Sequence, residues 1–204
     1  MSKQFLLRSR PTKAELRIGR PNSDYHVYTH AVEGLSPFAT DELKAAWLDT
    51  MRRRLPGAPV RKFGPEIFHD IEVVSTATIA NHPHLILHQG EDPTSVSRFT
   101  GNVLRAFALR YNHLTGHRGP VFVRPFDAKY LATPQDLRRA IAYVHRNPKR
   151  ADLINALTSH PAYLAEDLSG LISVERGLKA FGGRDAYAEY FANYCCMKDA
   201  EDRR

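Results

Sequence analysis

The order of elements predicts an α+β protein, a small antiparallel sheet with helices packed on one face. Three observations carry this. Extended, partly alternating stretches recur at 24–32, 66–80, 82–89 and 119–131. Segments with apolar residues at helical spacing separate them, in the order strand, helix, strand, strand, helix, strand, helix. The second and third strands also lie close enough in sequence to form a hairpin.

The first twenty or so residues place Lys3, Arg8, Arg10, Lys13, Arg17 and Arg20 among prolines and glycine, which predicts a poorly packed basic arm over 1–23. In "DYHVYTHAV" Tyr25, Val27 and Thr29 share one face of a strand, and His26, Tyr28 and His30 the other. A helix follows, with a Thr40 cap, an acidic first turn, apolar Leu43, Ala46, Trp47 and Met51, and a stop at Pro56-Gly57. After the hairpin, Asp92 and Pro93 form an N-cap and N1 pair. The helix they open carries Val96, Phe99, Val103, Leu104 and Phe107 and runs to Gly116.

"GPVFVRPFDAKYL" is short and punctuated by proline, which predicts an edge strand. Thr133, Pro134 and Asp136 cap a last helix, expected to end at Pro148. Beyond His160-Pro161 two short helices are predicted, 173–181 and 184–197, split by Gly182-Gly183. Tyr187, Tyr190, Phe191 and Tyr194 form an aromatic stripe on the second, so this helical C-terminal extension (156–204) is expected to dock on the main domain (24–155).

Lysine and arginine number 29 against 22 aspartates and glutamates, a formal charge of +7. That balance points to a polyanionic partner, nucleic acid first. No run approaches the roughly 18 apolar residues of a membrane span, and the N-terminus has no signal-peptide core. The two cysteines, Cys195 and Cys196, are adjacent and cannot staple distant segments. A cytoplasmic protein with no membrane partner is expected.

The chemistry-bearing stretch is "ATIANHPHLILHQG". On a strand His82 and His84 project from one face, with Ile86 and His88 following, and two same-face imidazoles have chelating geometry. Their partner is read from the helix "TPQDLRRAIAYVHRNPKR", where Leu137, Ile141 and Val144 form one apolar stripe. At about 100° per residue Tyr143 lies roughly 160° from Ile141, so it is not placed as a core aromatic. Arg139, Arg146, Asn147 and Asp136 share its side of the helix.

These residues carry a resemblance. "NHPHLIL", followed some sixty residues on by "AIAYVHRNPKRADL", resembles the single-tyrosine HUH transposases (the transposase IS200-like family), and among them the REP-associated tyrosine transposases. The likeness extends through "YHV" at 25–27, "GPVFVRPF" at 119–126 and "LKAFGGRDAYAEYF" in the tail. It implies a ferredoxin-like sheet, the HUH endonuclease fold, whose central strand presents His82 and His84 to a helix bearing the nucleophile Tyr143. Asn147 stands where a polar group can complete the metal site, and Mg²⁺ or Mn²⁺ is the implied cofactor. Tyr111 is a rival nucleophile. Pro83 departs from the family, which has a hydrophobic residue there; its missing N–H predicts an unpaired carbonyl or a bulge.

The activity so implied is metal-dependent cleavage and strand transfer of single-stranded DNA, at hairpin or inverted-repeat sequences. It would pass through a 5′-phosphotyrosine on Tyr143. A covalent intermediate conserves the phosphodiester bond energy without ATP. Nearby positive charge, here Arg139 and Arg146, favours the phenolate. Arg52, Arg53, Arg54, Arg61, Lys62, Lys149 and Arg150 are candidates to follow phosphates. Two other readings stand beside it: an inert DNA-binding module that retains the fold, and a nickase of replication-initiator or relaxase type. Monomer and homodimer are both open.

Overall fold

Strand β2 (Ser23–Tyr28) alternates buried and half-buried residues along its length, the signature of a strand whose two faces meet different surroundings. In the computed structural model, residues 6–7, 19–58, 64–123, 126–150, 156–165 and 170–202 are described, with backbone alone at Leu6, Leu7, Lys149 and Arg150. The other elements are β1 (Leu6–Leu7), α1 (Asp41–Arg52), β3 (Ile71–Ile79), β4 (His82–Gln89), α2 (Ser95–Thr115), β5 (Asp127–Leu131), α3 (Pro134–Arg150), α4 (His160–Leu164), α5 (Val174–Phe181) and α6 (Arg184–Glu201).

The sheet has the order β1-β5-β2-β4-β3, and every neighbouring pair is antiparallel. Strands β2 and β3 are joined through α1 and flank β4; strands β4 and β5 are joined through α2 and flank β2. This interlocked pair of split βαβ units is the ferredoxin-like arrangement. It puts the two strands that carry His26, His82 and His84 side by side at the centre.

Helices α1 and α2 lie together on one face, as expected. Trp47 and Met51 of α1 and Phe99, Val103 and Phe107 of α2 bury against Tyr25, Val27, Leu85, Leu87 and Ala128 of the sheet. The other face is covered too, which corrects the expectation of helices on a single side. Leu137, Ile141 and Val144 of α3, with Tyr163, Val174, Phe181 and Tyr187 of the following helices, pack on Val74, Ala77, Ile86 and Leu131. The physical reason is visible in "EVV" and "LIL". Apolar residues in both parities leave no face of the central strands fit for water.

Element ends follow local chemistry. Thr40 accepts at its Oγ1 from the Leu43 N–H (3.3 Å), and Gly116 closes α2 in the left-handed region (φ 71°). Helix α2 starts at Ser95, later than expected, because Asp92 accepts from both the N–H and the hydroxyl of Thr94 and so forms a turn ahead of the helix. Thr133 and Asp136 exchange hydrogen bonds as a capping box at the start of α3. Helix α3 continues through Pro148 to Arg150, since a proline in the last turn forfeits only one backbone bond. Strand β5 is not an edge: β1 pairs outside it, Leu6 opposite Lys129 and Leu7 opposite Ala128.

The C-terminal helices dock as the aromatic stripe predicts, through polar as well as apolar contacts. Tyr187 is fully buried, its hydroxyl 2.7 Å from His145 Nδ1 and 2.5 Å from His160 Nδ1. His145 Nε2 lies 3.0 Å from Ser75 Oγ and 2.8 Å from Ser159 Oγ, so one imidazole joins α3, β3 and the segment before α4. The Tyr163 hydroxyl donates to Val74 O (2.8 Å) and occupies the place where a side chain at Gly177 would begin. Arg176 grips both oxygens of Glu72 (2.9 and 2.7 Å), which with the Ser173 hydroxyl holds that carboxyl down to about 2. No helix among the described residues is long and apolar enough to cross a membrane.

Tyr187→Phe should destabilise the fold by about 1–3 kcal/mol in urea unfolding, because it keeps the ring but leaves two imidazole nitrogens without their partner. A change under 0.5 kcal/mol would show that the network adds nothing beyond packing.

Candidate active site

The site begins with the pairing of β2 and β4. Tyr28 stands opposite His84 and His26 opposite Ile86, so the residues of one parity on both strands face α3. His26, Tyr28, His82 and His84, with His30 just beyond the strand, form a continuous sheet of rings. Ring centroids are 4.6 Å apart for His30 and His82, 4.8 Å for His82 and His84, and 5.2 Å for His26 and His84.

Tyr143 lies across from them on α3, its ring 5.6 Å from that of His84 and 5.8 Å from that of His26. It is 37 % exposed on a helix whose neighbouring positions 140–142 and 144–148 are buried. These residues, with Lys129, Arg139 and Tyr194, line a cleft of about 650 Å³.

The imidazoles are held neutral. Burial, reinforced by the neighbouring histidines, drives His84 down to about 2; burial and His30 bring His82 to about 4; burial and Lys129 bring His26 to about 4. A neutral imidazole keeps a lone pair. His82 Nδ1 lies 2.8 Å from Asn81 Oδ1, an acceptor, so Nδ1 carries the proton and Nε2 is bare. His84 Nδ1 lies 3.1 Å from His26 Nε2, while His84 Nε2 is buried with no hydrogen-bond partner.

An orphaned imidazole nitrogen beside a second bare one fits a divalent ion whose remaining ligands are oxygens. Among the described residues no three His, Cys, Asp or Glu side chains converge as a metal-holding group. His26 Nε2 is taken up by His84 Nδ1, and His82 and His84 are kept as the donor pair expected from the sequence.

Asn147 is buried one turn beyond Tyr143, its Nδ2 unpartnered, and it does not line the cleft. Arg139 does line it. Arg146 corrects the expectation of a DNA contact: it is 8 % exposed and bound to Asp199 and Asp202 of the tail (2.7 Å each), which raises its pKa further. The side chains of Lys149 and Arg150 lie outside the described residues, as do Arg61 and Lys62.

Arg52, Arg53 and Arg54 end α1 on the far face of the sheet. Arg54 is buried there, donating to Asn102 Oδ1 and Thr50 O (2.7 Å each), and Arg53 pairs with Asp49. They cannot reach the cleft. Tyr111, the rival nucleophile, is buried on that far face against Leu43 and Val121. His88 stands at the other end of β4 with Asp24, 3.0 Å away.

Pro83 makes no bulge; the register shift in this hairpin falls between Val73 and Ser75. Thr78, opposite Pro83, sends its N–H outward to Leu157 O (2.8 Å). The pair is therefore a non-hydrogen-bonded one, and the absent N–H of Pro83 points past the end of β2 at Tyr28. Sequence reasoning missed His26, His30, Tyr28, Lys129 and Tyr194 as members of the site. The signal for three of them, the alternation His26-Tyr28-His30, was present, but nothing local says that this strand pairs with the one bearing His82 and His84.

The depressed imidazoles set a pH dependence. In the unfolded chain these histidines bind protons near pH 6.5, and in the folded protein only near 4 or below. Stability should therefore be full above about pH 6.5 and fall as pH drops below it, because the unfolded state then binds more protons. NMR titration should find His26, His82 and His84 neutral at pH 5.5 while urea midpoints already decline; charged imidazoles at that pH would refute the burial argument.

No family model and no curated protein matches the chain. Among solved structures it is similar to a REP-associated tyrosine transposase bound to a REP hairpin, with a TM-score of 0.53 and 15% identity over 80% of this chain and 90% of that one. The TM-score and the extent of that match show that the chain has the fold of a REP-associated tyrosine transposase.

Proposed function

We propose that the protein cleaves single-stranded DNA and transfers the cut strand, with Tyr143 as nucleophile and a divalent metal ion as cofactor. The observation that carries this is the placement of one exposed tyrosine ring against His84, whose buried Nε2 is unpartnered, in a cleft that also holds Arg139 and Lys129. The fold neighbour's bound hairpin supports a hairpin or repeat as the substrate.

In this reading the Tyr143 oxygen, as phenolate, attacks the scissile phosphorus. The new O–P bond forms as the bond to the 3′-oxygen breaks, and that oxygen leaves as a 3′-hydroxyl after taking a proton. Attack by a second 3′-hydroxyl on the phosphotyrosine reverses the step, frees the tyrosine and joins the new strand. Arg139, one turn before Tyr143, and Lys129, opposite His26 in the sheet, supply the positive charge that favours the phenolate and receives phosphate oxygens. His82 and His84 would hold the Mg²⁺ or Mn²⁺, whose chemistry is to stabilise charge developing on the scissile phosphate. Asn147, buried one turn beyond Tyr143 and not among the residues lining the cleft, is left out of this ligand pair.

Wild-type protein incubated with labelled hairpin DNA and Mn²⁺ should give a denaturation-resistant adduct that chelator prevents and Tyr143→Phe abolishes. An adduct that survives Tyr143→Phe would sink the assignment. DNA binding without any adduct would favour the inert-module reading instead.

The two arginines on α3 separate by salt dependence. Arg139→Ala should reduce the slope of log affinity against log salt by about 1. Arg146→Ala should leave that slope unchanged and loosen the C-terminal helix. Equal slopes for wild type and Arg139→Ala would remove Arg139 from the phosphate path.

A further inference from the structure

Two of the four imidazoles, His26 and His30, have no assigned part in the chemistry, and His26 touches the proposed ligand His84 directly. Its Nε2 lies 3.1 Å from His84 Nδ1, within hydrogen-bond distance. Two neutral imidazoles so placed share one proton, and which ring carries it decides what the far nitrogen of His84 can do.

If His26 donates, His84 Nδ1 accepts and the proton of His84 sits on Nε2. That nitrogen is buried with no partner, so the arrangement would bury an N–H with no acceptor and leave Nε2 without a lone pair. If His26 accepts, His84 carries its proton on Nδ1 and presents a bare Nε2. Only the second arrangement avoids an orphaned donor, and only the second can bind a cation. The register makes it reproducible. His26 faces α3 one residue along β2 from the partner of Leu85, and Tyr28 stands opposite His84, so the two rings meet across a fixed pair of central strands.

We propose that His26 is a positioning residue: its Nε2 accepts from His84 Nδ1, fixes the tautomer and orientation of the His84 ring, and so keeps His84 Nε2 available as a metal ligand. This rests on the metal site proposed above, though the tautomer does not. His26 would thereby do for His84 what the Asn81 side chain, 2.8 Å from His82 Nδ1, does for His82. The donor pair then owes its matching tautomers to two different outer partners, an amide from the hairpin turn and an imidazole from the neighbouring strand.

The test has two arms. In ¹⁵N-resolved NMR of the metal-free protein at neutral pH, His84 should carry its proton on Nδ1 in wild type and in His26→Gln, whose amide oxygen can accept. It should shift toward the Nε2-protonated form in His26→Leu. Titration with Mn²⁺, followed by calorimetry, should show binding in wild type, loss in His84→Ala, a weakening of about 10- to 100-fold in His26→Leu, and near-wild-type affinity in His26→Gln.

A wild-type His84 protonated on Nε2, or a His26→Leu variant that binds Mn²⁺ as wild type does, would overturn the role of His26 while the metal site stands. Absence of Mn²⁺ binding by wild type would instead overturn the metal site, and the NMR arm would still decide whether His26 sets the tautomer.

Discussion

The antiparallel pairing of β2 with β4 is the constraint on which the rest of the structure depends. It joins two strands separated by more than fifty residues and aligns Tyr28 with His84 and His26 with Ile86. A slip of one residue would send every histidine of one strand to the opposite face, among Trp47 and Phe107. The apolar residues of the other parity prevent that slip. Tyr25, Val27, Leu85 and Leu87 must face α1 and α2 to be buried, and the histidines are left facing α3 as a consequence.

That arrangement gives the sheet two unlike sides. One is a closed apolar layer beneath the crossover helices. The other is divided along its length: near Ile86 and Val74 it is sealed by α3 and the C-terminal helices, and near His84 it opens into the cleft. Burial without full closure accounts for the electrostatics there. The rings are removed from water enough to stay neutral, and close enough to one another that a first proton would repel a second. Lone pairs near Tyr143 follow from packing, with no acidic residue needed to create them.

The C-terminal helices are part of this division. Tyr187 ties α6 to α3 through His145, Arg146 ties its last turns through Asp199 and Asp202, and Tyr194 reaches the rim of the cleft beside Tyr143. An arginine that by position looked free to meet phosphate is thus committed to holding a helix. Charge near a site is available only where no carboxylate has claimed it. Arg139, exposed and lining the cleft, meets that condition better than Arg146.

Local sequence determined the elements and marked His82, His84, Arg139 and Tyr143 among the site's members. Alternation marked β2 and the β3–β4 hairpin, helical spacing marked α1 to α3, and the displacement of Tyr143 from the apolar stripe of its helix set it apart, because each depends only on the period of a strand or a helix. Tertiary structure decided the remainder. That α3 covers a second face, that β5 is interior, that His26 and His30 join His82 and His84, and that Arg54 and Tyr111 fall on the wrong side all depend on strand order. Strand order is settled by burial of both parities at once, a property of the assembled sheet that no single stretch of the chain contains.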